Sequence, residues 1–239
     1  MAQPFRRGGC RVYLSSVWQG ISICHYEDRI VIKSAEPLES LSSAVYGGGV
    51  AIADRFVNWK VPLSYNCSDP VHDIRAMLNR WGYSQLATVG LMTAAKLTHA
   101  SVAEAEGDRF SIVCCTTAGI GNAARAGTVR PVFSAYSAGT INSILLIDGR
   151  VTSSAMVNAV ITATEAKTAA LSDLGIIDPY NHLAATGTTT DTFVIAANQS
   201  EKYGGVHAYA GSATTLGNMI GRIVYETVHE AVSTHISSE

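Results

Sequence analysis

The stretch AVITATEAKTAALSDLG, residues 159–175, restricts this chain more than any other. It reads as one helix, almost wholly apolar or small, yet it carries Glu165 and Lys167 two positions apart. Each residue advances a helix by about 100°, so the two charges point to nearly opposite sides and cannot pair. Counted from Asn158, the residues Thr162, Glu165, Thr168 and Ser172 fall within about 120° of arc, a continuous polar stripe. Lys167 lies instead among Met156, Val160, Ala163, Leu171 and Leu174, on the apolar side. An ammonium there must snorkel to the helix edge, find a carboxylate or lose its proton. The first outcome is purely structural. The others make Lys167 a site residue that polarises a nucleophile or holds charge.

The surrounding sequence is punctuated clearly. This helix is expected from about Thr152 to Leu174, opened by Ser153 or Ser154, and a second long helix from about Ala213 to Val232. The second has an apolar face of Leu216, Met219, Ile220, Ile223, Val224 and Ala231, with Gly217 and Gly221 permitting close approach. DPVHDIRAMLNRWG has Asp69 as N-cap, Pro70 at the first helical position and Gly82 just past the end. ISICHYEDRIVIKS reads as a hairpin turning at Glu27-Asp28, and SSAVYGGGVAIADRFVNWKV as strand on either side of Gly47–Gly49. LATVGLMTAA, RFSIVCCTTAG and GTINSILLID are buried-strand candidates, and the loop GIIDPYNHLAATGTTT leads to the strand DTFVIAAN. No fixed-period repeat, low-complexity tract or linker interrupts the 239 residues, so a single α+β domain over 1–239 is expected.

Charged residues are only 15% of the chain against 47% hydrophobic, where about 25% charged is usual. Disorder is thereby excluded, and a net charge of −2 gives no reason to expect nucleic acid or an anionic membrane as partner. No segment reaches the roughly 20 apolar residues of a membrane span, and the start has no apolar core of signal-peptide type; a cytoplasmic protein is expected. The five cysteines, Cys10, Cys24, Cys67, Cys114 and Cys115, form no CxxC pair and read as buried structural thiols, with Cys114 and Cys115 on opposite faces of one strand.

Several motifs carry possible chemistry. Gly119-x-Gly121-x-x-Ala124 matches the dinucleotide fingerprint formally, but Gly127 and Pro131 leave little room for the required helix at Asn122, and no acid follows on a second strand. The stretch reads as a glycine loop with N–H groups turned into a cleft, able to stabilise an oxyanion, or as a structural turn. His72, His99, His182, His207 and His229 have no metal-site spacing, so no metal and no cofactor is expected; His182 is a solvated loop residue or acts near the Thr-rich segment. ATGTTTDT crowds four threonines and Asp191 around Gly187, to hold a polar substrate or to satisfy its own turn.

Taken in order, SSAVYGGG, VPLSYNCSDP, VGLMTAA, TTAGIGNAARAG, GTINSILLID, VITATEAKTAALSDLG, ATGTTTDTFVIAA and YAGSATTLGNMIGRIVYETV resemble the adenosylcobinamide amidohydrolase family of corrinoid salvage, over most of residues 41–230. The resemblance implies a corrinoid substrate, adenosylcobinamide, whose amide between the aminopropanol arm and the ring side chain is hydrolysed to give adenosylcobyric acid. Where the family pattern has a histidine soon after the YAG turn, this chain has Ala213 and Thr214. A fainter likeness, in the order TTAGIG, GTIN, TTTDT, is to the ornithine acetyltransferase and β-peptidyl aminopeptidase group. It implies a layered αββα sandwich, an oxyanion turn at Thr117 and Ala118 extending to Gly119, and Thr140 as nucleophile or as the group positioning a water. In that group the nucleophile is usually freed by self-cleavage, here before Thr140. On this scheme Lys167 or Glu165, but not both, handles protons, Asn142 and Asp191 orient the reacting groups, and Asn122, Thr188 and Thr190 help hold the substrate. Rival expectations are a corrinoid-binding protein without catalysis, and a dinucleotide oxidoreductase with a long helix at Asn122. A homo-oligomer is compatible with all three.

Overall fold

The computed structural model describes residues 2–6, 8, 11–130 and 139–237; Cys10 and Pro131 fall outside them. The elements run β1 (Val12–Leu14), β2 (Ser22–His25), β3 (Arg29–Ser42), β4 (Gly49–Lys60), α1 (Pro70–Arg80), β5 (Thr88–Thr93), β6 (Ser101–Gly107) and β7 (Phe110–Ala118). There follow β8 (Ala123–Ala124), β9 (Ile141–Asp148), β10 (Arg150–Val151), α2 (Ser153–Asp173), β11 (Gly187–Thr188), β12 (Thr192–Ala197), β13 (Val206–His207) and α3 (Thr215–Ile236).

The fold is an α+β layered sandwich, and its two β-layers are halves of one continuous mixed sheet in the order β1-β2-β3-β12-β9-β7-β6, with β4 attached to β3 and β5 to β4. The long strand β3 joins the layers: Arg29–Lys33 pair with β4 residues Arg55–Trp59, Glu39–Ser42 pair with β12, and the register with β4 shifts between Lys33 and Leu38. An irregularity of this kind bends a strand and increases its twist, and here the sheet folds over it. Between the halves lies a core of Ile23, Ile32, Phe56, Leu91, Val113, Cys115, Ile144 and Val194. On the outer face of β6, β7, β9 and β12, α2 and α3 cover Ile112, Cys114, Leu145 and Ile195. On the other outer face α1 sets Ile74 and Leu78 against Val31 and Val57. Cys114 and Cys115 thus belong to different cores, as strand alternation requires. Burial raises both thiols, Cys114 to about 11.

α1 begins at Pro70 with the Asp69 carboxylate accepting from the His72 N–H, and Gly82 follows in the left-handed region. The N-cap of α2 is Thr152, accepting from the Ala155 N–H, rather than Ser153 or Ser154. α3 starts at Thr215, capped by Thr214, and continues four residues past the expected end. The glycines of α3 do separate jobs: a side chain at Gly217 would collide with the carbonyls of Ala210 and Gly211, whereas Gly221 faces Thr162 of α2. That close packing explains why Thr162 is buried instead of lying in an exposed polar stripe, its hydroxyl donating to the Ala210 carbonyl at 2.8 Å. Ser43–Tyr46, expected as strand, lie in a turn, with Tyr46 bridging to Gly90. No helix among the described residues is long and apolar enough to cross a membrane.

Candidate active site

Three strands bring the sequence candidates to one end of the sheet. The last residues of β7, Thr117 and Ala118, pair with Asn142 and Ile141 at the start of β9, and Asn142 pairs in turn with Thr192 at the start of β12. The segments just beyond these strand ends, 119–122, 139–140 and 188–191, are therefore neighbours. They are laced together: the Gly119 N–H donates to the Thr140 carbonyl at 3.0 Å, the Thr189 N–H to the Asn122 carbonyl at 3.3 Å, and the Thr190 hydroxyl to the Gly139 carbonyl at 2.8 Å. The side-chain amide of Asn122 donates to the Thr189 hydroxyl at 2.6 Å and, at 3.4 Å, to that of Thr190.

Thr140 lines a cavity of about 400 Å³ together with Gly139, Thr190, Thr192, Thr93 and the loop carrying Tyr65 and Cys67. Its hydroxyl faces two acceptors, the Thr190 carbonyl at 2.8 Å and the Asn142 side-chain oxygen at 3.2 Å. Neither takes a proton at neutral pH, so they aim the hydroxyl without deprotonating it. Asn142 is itself fixed from behind, donating to the Met92 carbonyl at 2.8 Å and to the Asn58 side-chain oxygen at 2.9 Å; Asn58 donates in turn to the Thr117 hydroxyl at 2.8 Å. Asn58 is buried and was not legible in the sequence, where it alternates with Val57 and Trp59 as an outward-facing strand residue would.

The charges divide as their divergence on the helix demands, with Lys167 inside. Its ammonium pairs with Asp191. The same carboxylate accepts from the Ile141 N–H at 3.1 Å, the Thr188 N–H at 3.0 Å and the Thr188 hydroxyl. A side chain at Gly187 would collide with both members of the pair, which accounts for the glycine. Glu165 is exposed on the opposite side of α2 and lines neither the Thr140 cavity nor the one beside Lys167, so it does not stand where a proton-transfer group would. Because Asp191 and Thr192 are consecutive, they point to opposite faces of the sheet. Thr192 borders the Thr140 cavity, whereas Lys167 and Asp191 border a different one. The ion pair therefore reaches Thr140 through the Ile141 backbone rather than across the cavity.

Thr117 and Ala118 are held in the β7–β9 ladder, and the Gly119 N–H is occupied by the Thr140 carbonyl. The N–H groups of Gly121 and Asn122 donate to nothing among the described residues, and both nitrogens lie 3.0 Å from the position a Cβ on Gly139 would take. The Asn122 side-chain oxygen faces the same point, buried and without a hydrogen-bond partner among the described residues. Gly139 is thus a glycine for space. Residues 120–130 form turns and the two-residue β8, not the helix at Asn122 that a dinucleotide site requires. His182 is exposed, and neither it, Ala213 nor Thr214 lines the Thr140 cavity.

Asp178, fully buried, secures the chain leading into and out of this site. It accepts from the N–H groups of Arg125 at 2.9 Å and Tyr180 at 2.8 Å, and pairs with Arg130 at 2.6 Å. Burial alone would raise its carboxyl, but the two N–H groups and the guanidinium outweigh that and hold it below the usual carboxylate range. A depressed folded value stabilises the protein above the unfolded value of about 3.9 and ceases to as pH falls through the folded one. Urea midpoints of wild type and Asp178→Asn are therefore expected to converge between pH 5 and the acid limit of folding; a gap that stays constant with pH contradicts this.

A family model described as adenosylcobinamide amidohydrolase matches residues 15–239. An adenosylcobinamide amidohydrolase of Methanosarcina mazei is 32% identical over 210 residues, 85% of this chain and 94% of that protein. An uncharacterized protein of Methanocaldococcus jannaschii is 33% identical over 73% of this chain and 75% of its own length. Among solved structures, a Burkholderia β-aminopeptidase superposes with a TM-score of 0.44 at 13% identity, over 95% of this chain and 83% of that one. An L-aminopeptidase D-Ala-esterase/amidase from Ochrobactrum anthropi gives 0.41 at 11% identity, over 95% and 82%.

Proposed function

Because this chain belongs to the adenosylcobinamide amidohydrolase family, we propose that it hydrolyses the amide joining the aminopropanol arm to the corrin ring side chain of adenosylcobinamide, releasing adenosylcobyric acid. The family match along nearly the whole chain carries the reading. The site supports it: an aimed hydroxyl lies in a cavity of about 400 Å³, a size that suits a slender arm and leaves a macrocycle outside.

In this scheme the Thr140 oxygen attacks the amide carbonyl carbon. The oxyanion that forms is stabilised by backbone N–H groups of the 117–122 bend beside Thr140. The carbon–nitrogen bond then breaks, the nitrogen leaves with the proton from the Thr140 hydroxyl, and water cleaves the resulting ester to return the hydroxyl and release the acid. Asn142, Asn58 and Thr190 aim the nucleophile, and Lys167 and Asp191 position it through Ile141. Among the described residues no carboxylate, imidazole or amine touches the Thr140 hydroxyl. The α-amine released by a cut before Thr140 would supply a base there.

Incubation with adenosylcobinamide is expected to yield adenosylcobyric acid and aminopropanol in equal amounts by mass spectrometry. A corrinoid that is bound but returned intact would show a binding protein instead. Intact-mass measurement of the protein alone reads separately whether the chain is severed at Gly139–Thr140.

A further inference from the structure

Two apolar surfaces lie side by side on the helix-covered face of the sheet. The first is a shelf of strand. Beyond the register shift, β3 and β4 pair Leu41 with Val50 and Glu39 with Ile52, so these four side chains share one face. Leu41 packs against the core under α2 and α3, which puts that face on the helix side. The helices do not reach over the rest of it: Val50 is 86% and Ile52 64% exposed. The second surface is a flank of α2. Val157 and Ile161, four apart and so on one side of the helix, are 51% and 50% exposed. A groove of about 430 Å³ joins the two surfaces, bordered by Leu41, Val157 and Ile161 and by the Lys167–Asp191 pair.

Exposed apolar residues scattered singly are ordinary, but a contiguous apolar patch marks a contact surface. Shape and area say what covers this one. A strand shelf beside a helix is an open place in the helical layer, and it fits a further helix with an apolar flank. α2 is such a helix, whereas α3 exposes Arg222 and Glu226. The chain therefore carries both the seat and its occupant next to each other, the arrangement that a two-fold contact between identical surfaces requires. About such an axis, α2 of one copy rests on the Val50 and Ile52 shelf of the other, and the reverse. Leu41, Val50, Ile52, Val157 and Ile161 carry no charge to oppose itself across the axis. Glu39, beside Ile52, is held at the rim by the Gln199 amide at 2.9 Å. Counted on both copies with its rim, the patch approaches the roughly 1,200 Å² at the low end of stable interfaces.

We propose that this face is the interface of a homodimer in which α2 of each copy seats on the β3–β4 shelf of the other, closing the groove beside Lys167 and Asp191. The contact does not depend on the reaction assigned to Thr140 and is tested without substrate. Sedimentation equilibrium of the full chain at micromolar concentration should give a dimer. Val50→Lys on the shelf and Ile161→Glu on the helix each bury two uncompensated charges per dimer, and each should raise the dissociation constant at least about 100-fold. Both positions are exposed in the single chain, so far-UV circular dichroism should be unchanged. Mixed in equal amounts, the two variants should pair again, because the lysine of one shelf meets the glutamate of the other copy's helix while the second contact is wild type. A wild-type monomer overturns the proposal, and its flotation with phosphatidylcholine vesicles would assign the face to lipid instead. A dimer that survives both substitutions lies on another surface, one broken by only one of them does not use both surfaces, and variants that fail to pair on mixing do not meet shelf to helix; each of these outcomes also overturns it.

Discussion

Thr140→Ala is expected to lower turnover of adenosylcobinamide by at least about 10³-fold, the scale on which loss of a covalent nucleophile is felt. Stability should change little. The substitution removes one hydroxyl with two neutral acceptors, worth about 1 kcal/mol, and leaves the Thr140 carbonyl bonded to the Gly119 N–H. Thr140→Ser keeps the oxygen and should retain activity within about tenfold, the difference being the methyl group that restricts the side-chain rotamer. The pair separates two roles. A nucleophile forms an ester, so acid-quenched wild type should carry the corrinoid acyl group on the peptide containing Thr140, and the alanine variant should not. A hydroxyl that merely positions water forms no ester, and its loss costs about 10²-fold, the lower end of acid–base effects. Wild-type turnover in Thr140→Ala would remove Thr140 from the chemistry altogether.

What could be read in the sequence was local. α1 announces itself by Asp69, Pro70 and Gly82, and α2 by a run of small and apolar residues; β7 and β9 carry unbroken apolar runs, Ile112–Cys115 and Ile144–Ile147, and are buried throughout because both faces of that layer are covered. The divergence of Glu165 and Lys167 required no more than the helical repeat. What could not be read depends on partners remote in the chain. Asn142 meets Asn58 across 84 positions and Thr140 meets Thr190 across 50, and no spacing rule encodes either meeting. β6 alternates Ala with Glu, a two-residue period carried by residues of low strand propensity, and was passed over although it pairs with β7 along its whole length. Which donors the oxyanion bend has to offer was illegible for a similar reason. Which N–H groups of a bend remain available depends on what the neighbouring strand has already taken, and Thr140 itself takes that of Gly119.

Lys167→Met should be the most destabilising single change at this site. The ammonium is nearly buried, its side chain 7% exposed, and the Asp191 carboxylate 10%. Removing the cation while keeping an apolar stem of similar length leaves the carboxylate buried without its counter-charge, a situation that costs about 3–5 kcal/mol. For a domain of this size each kcal/mol lowers Tm by about 2–4 °C, so a loss of roughly 6–20 °C is expected. The double variant Lys167→Met/Asp191→Asn removes both charges and should regain most of that loss, since a neutral amide is far cheaper to bury than a lone carboxylate. Its activity should not follow. Asp191 accepts from Ile141, Thr188 and Lys167 at once, whereas an amide has one accepting oxygen in place of two, so the backbone beside Thr140 is less firmly held. A restored Tm with kcat still lowered about tenfold or more, and KM little changed, identifies Lys167 and Asp191 as positioning residues for Thr140. Recovery of kcat in step with Tm would make the pair a matter of stability alone, and a single variant that melts like wild type would show that Asp191 does not depend on Lys167.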